Sequence, residues 1–320
     1  MGLSYDAVLL LAFGGPTAPE EIRPFLARVL SGHPVQPARI EEVVRHYEAV
    51  GGRSPLNDIT FLQARALADL LKQRGLPLPV YVGLRHSNPF IREALEKMKA
   101  GGVKRALGFI LSSHETEASW KRYQDNVADA RKEIGGLAPD VDFCPGWHAH
   151  PLFVQAWAEQ IGAELAKLPE AKRSDAPLLF TAHSIPTAMA VCSPYCQQLT
   201  ESCSLVARRL NRSRWSLAYQ SRSGNPKESW LEPDIGAALK NLAAEGAAEV
   251  VVAPIGFVSD HVEILYDLDI EARGIAESLG LRFLRAKSLN DHPTFVRMMA
   301  DVIQTNGSSR LPRRAARIVT

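Results

Sequence analysis

The chain has 320 residues, 46% of them hydrophobic and 22% charged, with a net charge of +2. That length can bury one large or two medium cores, and the near-neutral balance speaks against a dedicated nucleic-acid surface, which needs a stronger basic bias. The start lacks the basic segment of a secretory signal, and no apolar run reaches the roughly 18 residues of a membrane-spanning helix, so a cytoplasmic location is expected.

Strand-like runs occur at residues 7–12, 80–83, 106–111 and 141–143, then at 178–182, 216–219, 250–254 and 282–284. Most are unbroken apolar runs, as expected for parallel strands covered on both faces. Helical patterns fill the gaps, as at 61–74, 90–99, 154–168 and 204–210. Three junctions share one design: Asn88-Pro89-Phe90, His150-Pro151-Leu152-Phe153 and His292-Pro293-Thr294-Phe295. Each is expected to place proline where a helix begins, with an aromatic turned to the core. This alternation predicts an α/β fold of two Rossmann-like domains, each built on a four-stranded, doubly wound parallel sheet. The domains are expected at 1–150 and 151–304, facing each other across a ligand cleft at the strand C-termini. Residues 305–320, with four arginines, read as a basic flexible tail or as a contact for an anionic membrane or partner.

Two segments carry candidate chemistry. In Phe180-Thr181-Ala182-His183-Ser184-Ile185-Pro186 an apolar strand ends on a histidine and proline stops it. That puts an imidazole with an ordinary pKa of about 6.5 at the sheet edge, able to accept a proton at neutral pH. After the strand at 250–254 comes Ser259-Asp260-His261-Val262-Glu263, a polar helix start. Glu263, Asp267 and Glu271 recur every four residues, so on a helix they form one acidic ridge. A solvated helix face would intersperse Lys or Arg; this one does not, and a row of hard oxygen donors suits a divalent cation.

The four cysteines are Cys144, Cys192, Cys196 and Cys203, three of them within a dozen residues. In a cytosolic chain such grouping points to metal or catalysis more than to disulfides. Four thiolates suit an Fe–S cluster or zinc, and free or buried thiols are the alternative.

The chain is similar to the ferrochelatases. The resemblance rests on Leu9-Leu10-Leu11-Ala12-Phe13-Gly14-Gly15-Pro16, on Tyr47-Glu48-Ala49-Val50-Gly51-Gly52-Arg53-Ser54-Pro55-Leu56, and on Val82-Gly83-Leu84-Arg85-His86 running into Asn88-Pro89-Phe90. It continues through the His183 and Glu263 segments, Tyr219-Gln220-Ser221, Trp230-Leu231-Glu232-Pro233-Asp234 and Ser288-Leu289-Asn290, in order over roughly 300 residues. The resemblance implies insertion of Fe²⁺, a substrate here, into a porphyrin in haem biosynthesis. It implies His183 and Glu263 as the catalytic pair, with Asp267 and Glu271 joining them as metal-handling residues. It implies Arg28, Arg45 and Ser54 as propionate contacts, and Phe13, Tyr123, Trp147 and Tyr219 as cleft residues near the ring. His86 is read as structural. Transient contact with other haem-pathway enzymes belongs to the same expectation. Some ferrochelatases hold a [2Fe–2S] cluster on four cysteines, commonly three in a C-terminal extension; here the three are internal, and a structural [2Fe–2S] site on Cys144, Cys192, Cys196 and Cys203 is expected.

The chemistry fits such a substrate: a flat apolar disc with carboxylates on its rim needs a wide hydrophobic cleft with a few anion-binding groups. Two pyrrole protons must leave, which requires a base at the ring centre. The segment at 31–39 is short and polar, which favours four-carboxylate coproporphyrin III over protoporphyrin IX. Phe13, standing where some coproporphyrin enzymes have tyrosine, argues the other way. The alternatives are a chelatase inserting cobalt or nickel into another tetrapyrrole, and a non-catalytic porphyrin or haem carrier. A carrier would need neither the base nor the acidic ridge.

Overall fold

The computed structural model describes residues 5–32, 36–223 and 228–307. In the first half, β1 (Ala7–Ala12), β2 (Val80–Leu84), β3 (Arg105–Ile110) and β4 (Asp140–Phe143) form a sheet in the order β2-β1-β3-β4. In the second, β5 (Leu178–His183), β6 (Trp215–Gln220), β7 (Glu249–Ala253) and β8 (Arg282–Arg285) repeat that order as β6-β5-β7-β8. Every strand pairing is parallel. The two central strands of each sheet are the most apolar, and β1 is buried at every residue. The edge strand β4 is charged and partly exposed, as a strand with only one neighbour must be.

The first-half helices are α1 (Ile22–Val29), α2 (Pro37–Ala49), α3 (Leu56–Gln73), α4 (Ile91–Ala100) and α5 (Arg122–Ile134). Next come α6 (Pro151–Leu165), α7 (Glu170–Arg173), α8 (Thr187–Val191), α9 (Tyr195–Arg209) and α10 (Ile235–Ala244). The chain ends in α11 (Val262–Leu265), α12 (Arg273–Ser278) and α13 (Pro293–Gly307). Two of the three proline junctions behave as expected. Pro151 and Pro293 open α6 and α13, while the His150 and His292 Nδ1 atoms accept the Leu152 and Thr294 N–H groups at 3.2 and 3.3 Å. The third does not: α4 starts at Ile91, after Phe90, and the Pro89 carbonyl instead accepts the Leu84 N–H at 2.8 Å.

One large apolar cluster runs through both halves, joining β1 and β3 to α6, α9 and α13. Trp147, expected on the cleft, is buried inside it at 2% exposure. Its ring packs on Phe109, Phe153 and Phe295 with centroids 5.2–5.8 Å away, and its indole N–H donates to the Ile110 carbonyl at 3.3 Å. The indole face is spent on core packing and its donor is satisfied, which leaves nothing for a ligand. Helix α13 continues to Gly307, past the expected limit at 304, and packs on both α3 and α6. The remainder of the expected tail lies outside the described residues, as do residues 33–35 of the expected polar lip. Among the described residues no helix is long and apolar enough to cross a membrane.

Candidate active site

The C-terminal ends of β1, β3, β5 and the turn after β7 open into one cleft of about 340 Å³ between the halves. Phe13 follows β1, His183 ends β5, and Glu263 lies in α11. His183 reaches this position because β5 stops there: Tyr195 donates its hydroxyl to the His183 carbonyl at 2.9 Å, and the imidazole Nδ1–H bonds the Ser184 carbonyl. A carbonyl can only accept, so the proton on Nδ1 leaves Nε2 facing Glu263, 3.5 Å from its Oε1. Gly256 makes that edge possible. Its N–H bonds the Thr181 carbonyl at 3.0 Å, and a Cβ there would stand 2.8 Å from the Ala182 Cα. Gly256→Ala is therefore expected to cost about 1–3 kcal/mol, the usual range for overpacking, and to lower the thermal midpoint. An unchanged midpoint in calorimetry would show that the turn relaxes freely.

Glu263 is fastened from its backbone: its carbonyl accepts Gln220 Nε2 at 2.7 Å and its N–H bonds His261 Nδ1 at 3.2 Å. The acidic ridge does not run along one regular α-helix. After the single turn of α11 the chain passes into a π-helical segment, Asp267–Ala272, before α12 resumes. The wider π turn keeps residues spaced by four close to one line, so the expected alignment survives for a different geometric reason. Such segments frequently mark functional sites. Ser221 donates its hydroxyl to Asp267. Asp269, on the other side of the segment, is bound to Arg285 at 2.6 and 2.8 Å. Asp260 is held by Ser288, Asn290 and Arg285 and serves the loop.

The electrostatics differ from those of an isolated histidine. Burial alone would depress the His183 pKa, but the Glu263 carboxylate, the Ser184 carbonyl and Asp267 outweigh it and lift it to about 9. Burial likewise pushes Glu263 up, yet His183, His261 and Arg39 bring it below the ordinary carboxylate value. Both shifts favour an imidazolium facing a carboxylate. Asp267 is driven up to about 7 by burial and by Glu263, against the pull of its bond from Ser221. Glu271 is raised by burial and by Glu42.

The remaining expected residues divide. Phe13 (38% exposed), Ser54 and Tyr123 line the cleft. Ser54 is tucked against Gly15, where a Cβ would come within 2.6 Å of the Ser54 Cβ. Arg28 lies on the wall of a neighbouring surface cleft, with its Nε donating to the His86 carbonyl at 2.9 Å. Arg45 is exposed on α2 and is not on the cleft wall. Tyr219 is buried at the end of β6, its phenol hydrogen-bonded with Cys196, away from the wall. Tyr195, Tyr47, Phe257 and His261 do line it and carried no sequence signal of their own, although Tyr47 and His261 sit inside the matched segments.

The four cysteines of the expected cluster site differ widely in their surroundings. Cys144 and Cys203 are sealed in the apolar core, where burial pushes their thiols far above the ordinary range. Cys192 is exposed at the end of α8, and Cys196 is half-buried against Tyr219. Among the described residues, no three His, Cys, Asp or Glu side chains converge as a metal site would require.

Two further imidazoles lie near the cleft, His114 buried on its wall and His86 half-buried on the neighbouring surface cleft. Burial, reinforced by His148, pushes His114 down to about 3, and burial with Arg85, Arg28 and Arg122 pushes His86 down to about 4. Both bind their proton in the unfolded chain near 6.5 and not in the folded one, so their contribution to stability is lost as pH falls from 6.5 toward 4. Thermal midpoints recorded across that window are expected to drop with acid, and less steeply in His114→Asn. An identical slope in the variant would remove His114 from the account.

The ferrochelatase family profile matches residues 5–307. The coproporphyrin III ferrochelatase of Mycobacterium leprae is 41% identical over 97% of this chain and 92% of its own length. That of Mycolicibacterium smegmatis is 39% identical over 98% and 93%, and the ferrochelatase of Rhodopirellula baltica 40% over 94% and 86%. Among solved structures, the sirohydrochlorin chelatase SirB of Bacillus subtilis subspecies spizizenii, in complex with cobalt, superposes with a TM-score of 0.57 at 10% identity, covering 94% of each chain. That likeness extends the fold alone to a second chelatase, while the profile match and the 39–41% identities carry more: this chain belongs to the ferrochelatase family.

Proposed function

We propose that the protein inserts Fe²⁺ into coproporphyrin III, forming the iron porphyrin and releasing the two pyrrole protons, in haem synthesis. The observation that carries this reading is the His183–Glu263 pair, 3.5 Å apart and facing an apolar cleft between the two sheets. The chain folds for this purpose as two domains divided near residue 150. Coproporphyrin is preferred to protoporphyrin on the names of the Mycobacterium leprae and Mycolicibacterium smegmatis relatives.

In this reading Glu263 meets the metal, with Asp267 and Glu271 behind it supplying negative charge along the ridge. Iron arriving beside Glu263 repels the His183 proton, because two cations then share one carboxylate. That proton leaves to solvent through the open cleft, and the neutral imidazole then takes the pyrrole protons one at a time, passing each to solvent as the macrocycle nitrogens bind iron. Phe13 and Tyr123 pack near the ring, and Ser54 contacts a propionate, with Arg28 and Arg45 acting from the rim. A [2Fe–2S] cluster on Cys144, Cys192, Cys196 and Cys203 is no part of the proposal.

An anaerobic assay with Fe²⁺, coproporphyrin III and protoporphyrin IX in parallel tests it. Turnover is expected with both absorbance and fluorescence reporting loss of free porphyrin, and a higher kcat/KM for coproporphyrin III. Protein that binds either porphyrin but inserts no iron would be a carrier.

A further inference from the structure

We infer that Arg85 is a carboxylate-binding residue of the porphyrin cleft, placed to hold one of the substrate's propionates; this rests on the porphyrin reading above. Arg85 follows β2 and lies on the wall common to the main cleft and the adjacent surface cleft. It is half-buried between aromatic rings, its guanidinium carbon 5.0 Å from the Tyr123 centroid and 5.7 Å from that of Phe13.

Its known partners are neutral. Nε donates to Asn126 Oδ1 at 3.0 Å and Nη1 to the Ala118 carbonyl at 3.1 Å, with the Tyr123 phenol also in reach. Among the described residues, no carboxylate forms an ion pair with it. The surroundings are positive instead: Arg28 and Arg122 join Arg85 around His86, which stays neutral. Arg122 likewise makes no ion pair among the described residues. A desolvated cation with no counter-charge is costly, and such a group is normally paired. Here burial and Arg122 already depress its pKa, though not enough to discharge a guanidinium.

The bonds from Nε and Nη1 and the two rings hold the plane of the guanidinium, and apart from the Tyr123 phenol Nη2 has no hydrogen-bond partner among the described residues. A planar fork held this way matches a carboxylate, and it would gain one without reorganising. The flanking rings match the rest of a porphyrin edge. Because Arg85 also faces the open surface cleft, a flexible propionate arm can reach it from the ring without entering the apolar interior.

Equilibrium titration without iron tests this independently of turnover. Coproporphyrin III and its uncharged tetramethyl ester are compared, in the same mild detergent, for the wild-type protein, Arg85→Met and Arg85→Lys. Arg85→Met is expected to weaken coproporphyrin III about tenfold or more, the scale of a lost charge-assisted hydrogen bond, and the ester by less than about threefold. Arg85→Lys should recover part of the loss. Equal weakening of both ligands would mean a packing role, and no weakening of coproporphyrin III would mean no contact; either overturns the assignment. If Arg85→Met does not fold, Arg85→Lys decides: selective weakening of coproporphyrin III, with the ester unchanged, supports the fork, and unchanged affinity for both ligands, or equal weakening of both, refutes it. Wild-type protein that binds coproporphyrin III without inserting iron would end the catalytic proposal and leave this one standing.

Discussion

Replacing His183 by alanine is expected to lower kcat for iron insertion by about 10²–10⁴-fold, the range associated with loss of a positioned acid or base, while coproporphyrin III still binds. The imidazole occupies one point of the cleft wall, and the apolar contacts that hold a porphyrin, Phe13 and Phe257 among them, are untouched. The Tyr195 hydroxyl bonds the backbone carbonyl of residue 183, which alanine keeps, so the end of β5 stays fastened and only the bond from the imidazole to the Ser184 carbonyl is lost. Stopped-flow absorbance under anaerobic conditions separates the two quantities, with binding followed before iron is added. If kcat survives and only porphyrin affinity falls, His183 packs against the ring and another group takes the protons.

Glu263→Gln should be comparably damaging, about 10²–10⁴-fold, with a different pH signature. The substitution keeps the shape and the backbone bond from Gln220, and removes the charge that holds His183 protonated. Burial then meets only the Ser184 carbonyl and Asp267 in opposition, and the imidazole pKa is expected to fall from about 9. The imidazole signal in an NMR titration of the empty protein reads this directly; a pKa still near 9 in the variant would show that Glu263 is not its partner. Asp267 adds a third feature. Its carboxyl is neutral below a pKa of about 7 and charged above it, so apparent affinity for Fe²⁺ should rise with pH through that point. Asp267→Asn is expected to flatten that rise, and an undiminished rise would place the titrating group elsewhere.

The acidic spacing was legible from residues alone, because Glu263, Asp267 and Glu271 recur at four and carry no interspersed Lys or Arg. The turn that aligns them was not: the π-helical segment depends on tertiary packing around Leu268 and Ala272, both fully buried, which no local pattern reports. The surroundings of the cysteines were not legible for a related reason. Spacing by seven places Cys196 and Cys203 on one face of α9, but whether that face meets solvent, a metal or the core is decided by what packs on it; for Cys203 it is the core. Trp147 follows the same rule, since an aromatic near a strand end serves a cleft or a core equally well until its neighbours are known.

The sequence by itself determined the α/β alternation, the eight strands to within a residue or two, and the two segments that end in His183 and Glu263. These are local matters: a short continuous apolar run bounded by turn residues reads as a covered strand, and proline or a polar turn ends it. Only the tertiary structure decided the protonation of the pair. His183 and Glu263 are eighty residues apart in the chain, and an imidazole read alone has the pKa of free histidine. Brought to 3.5 Å in a half-buried cleft, the carboxylate outweighs desolvation and turns the expected base into a held proton, because charge interactions depend on distance and burial, which chain position does not specify.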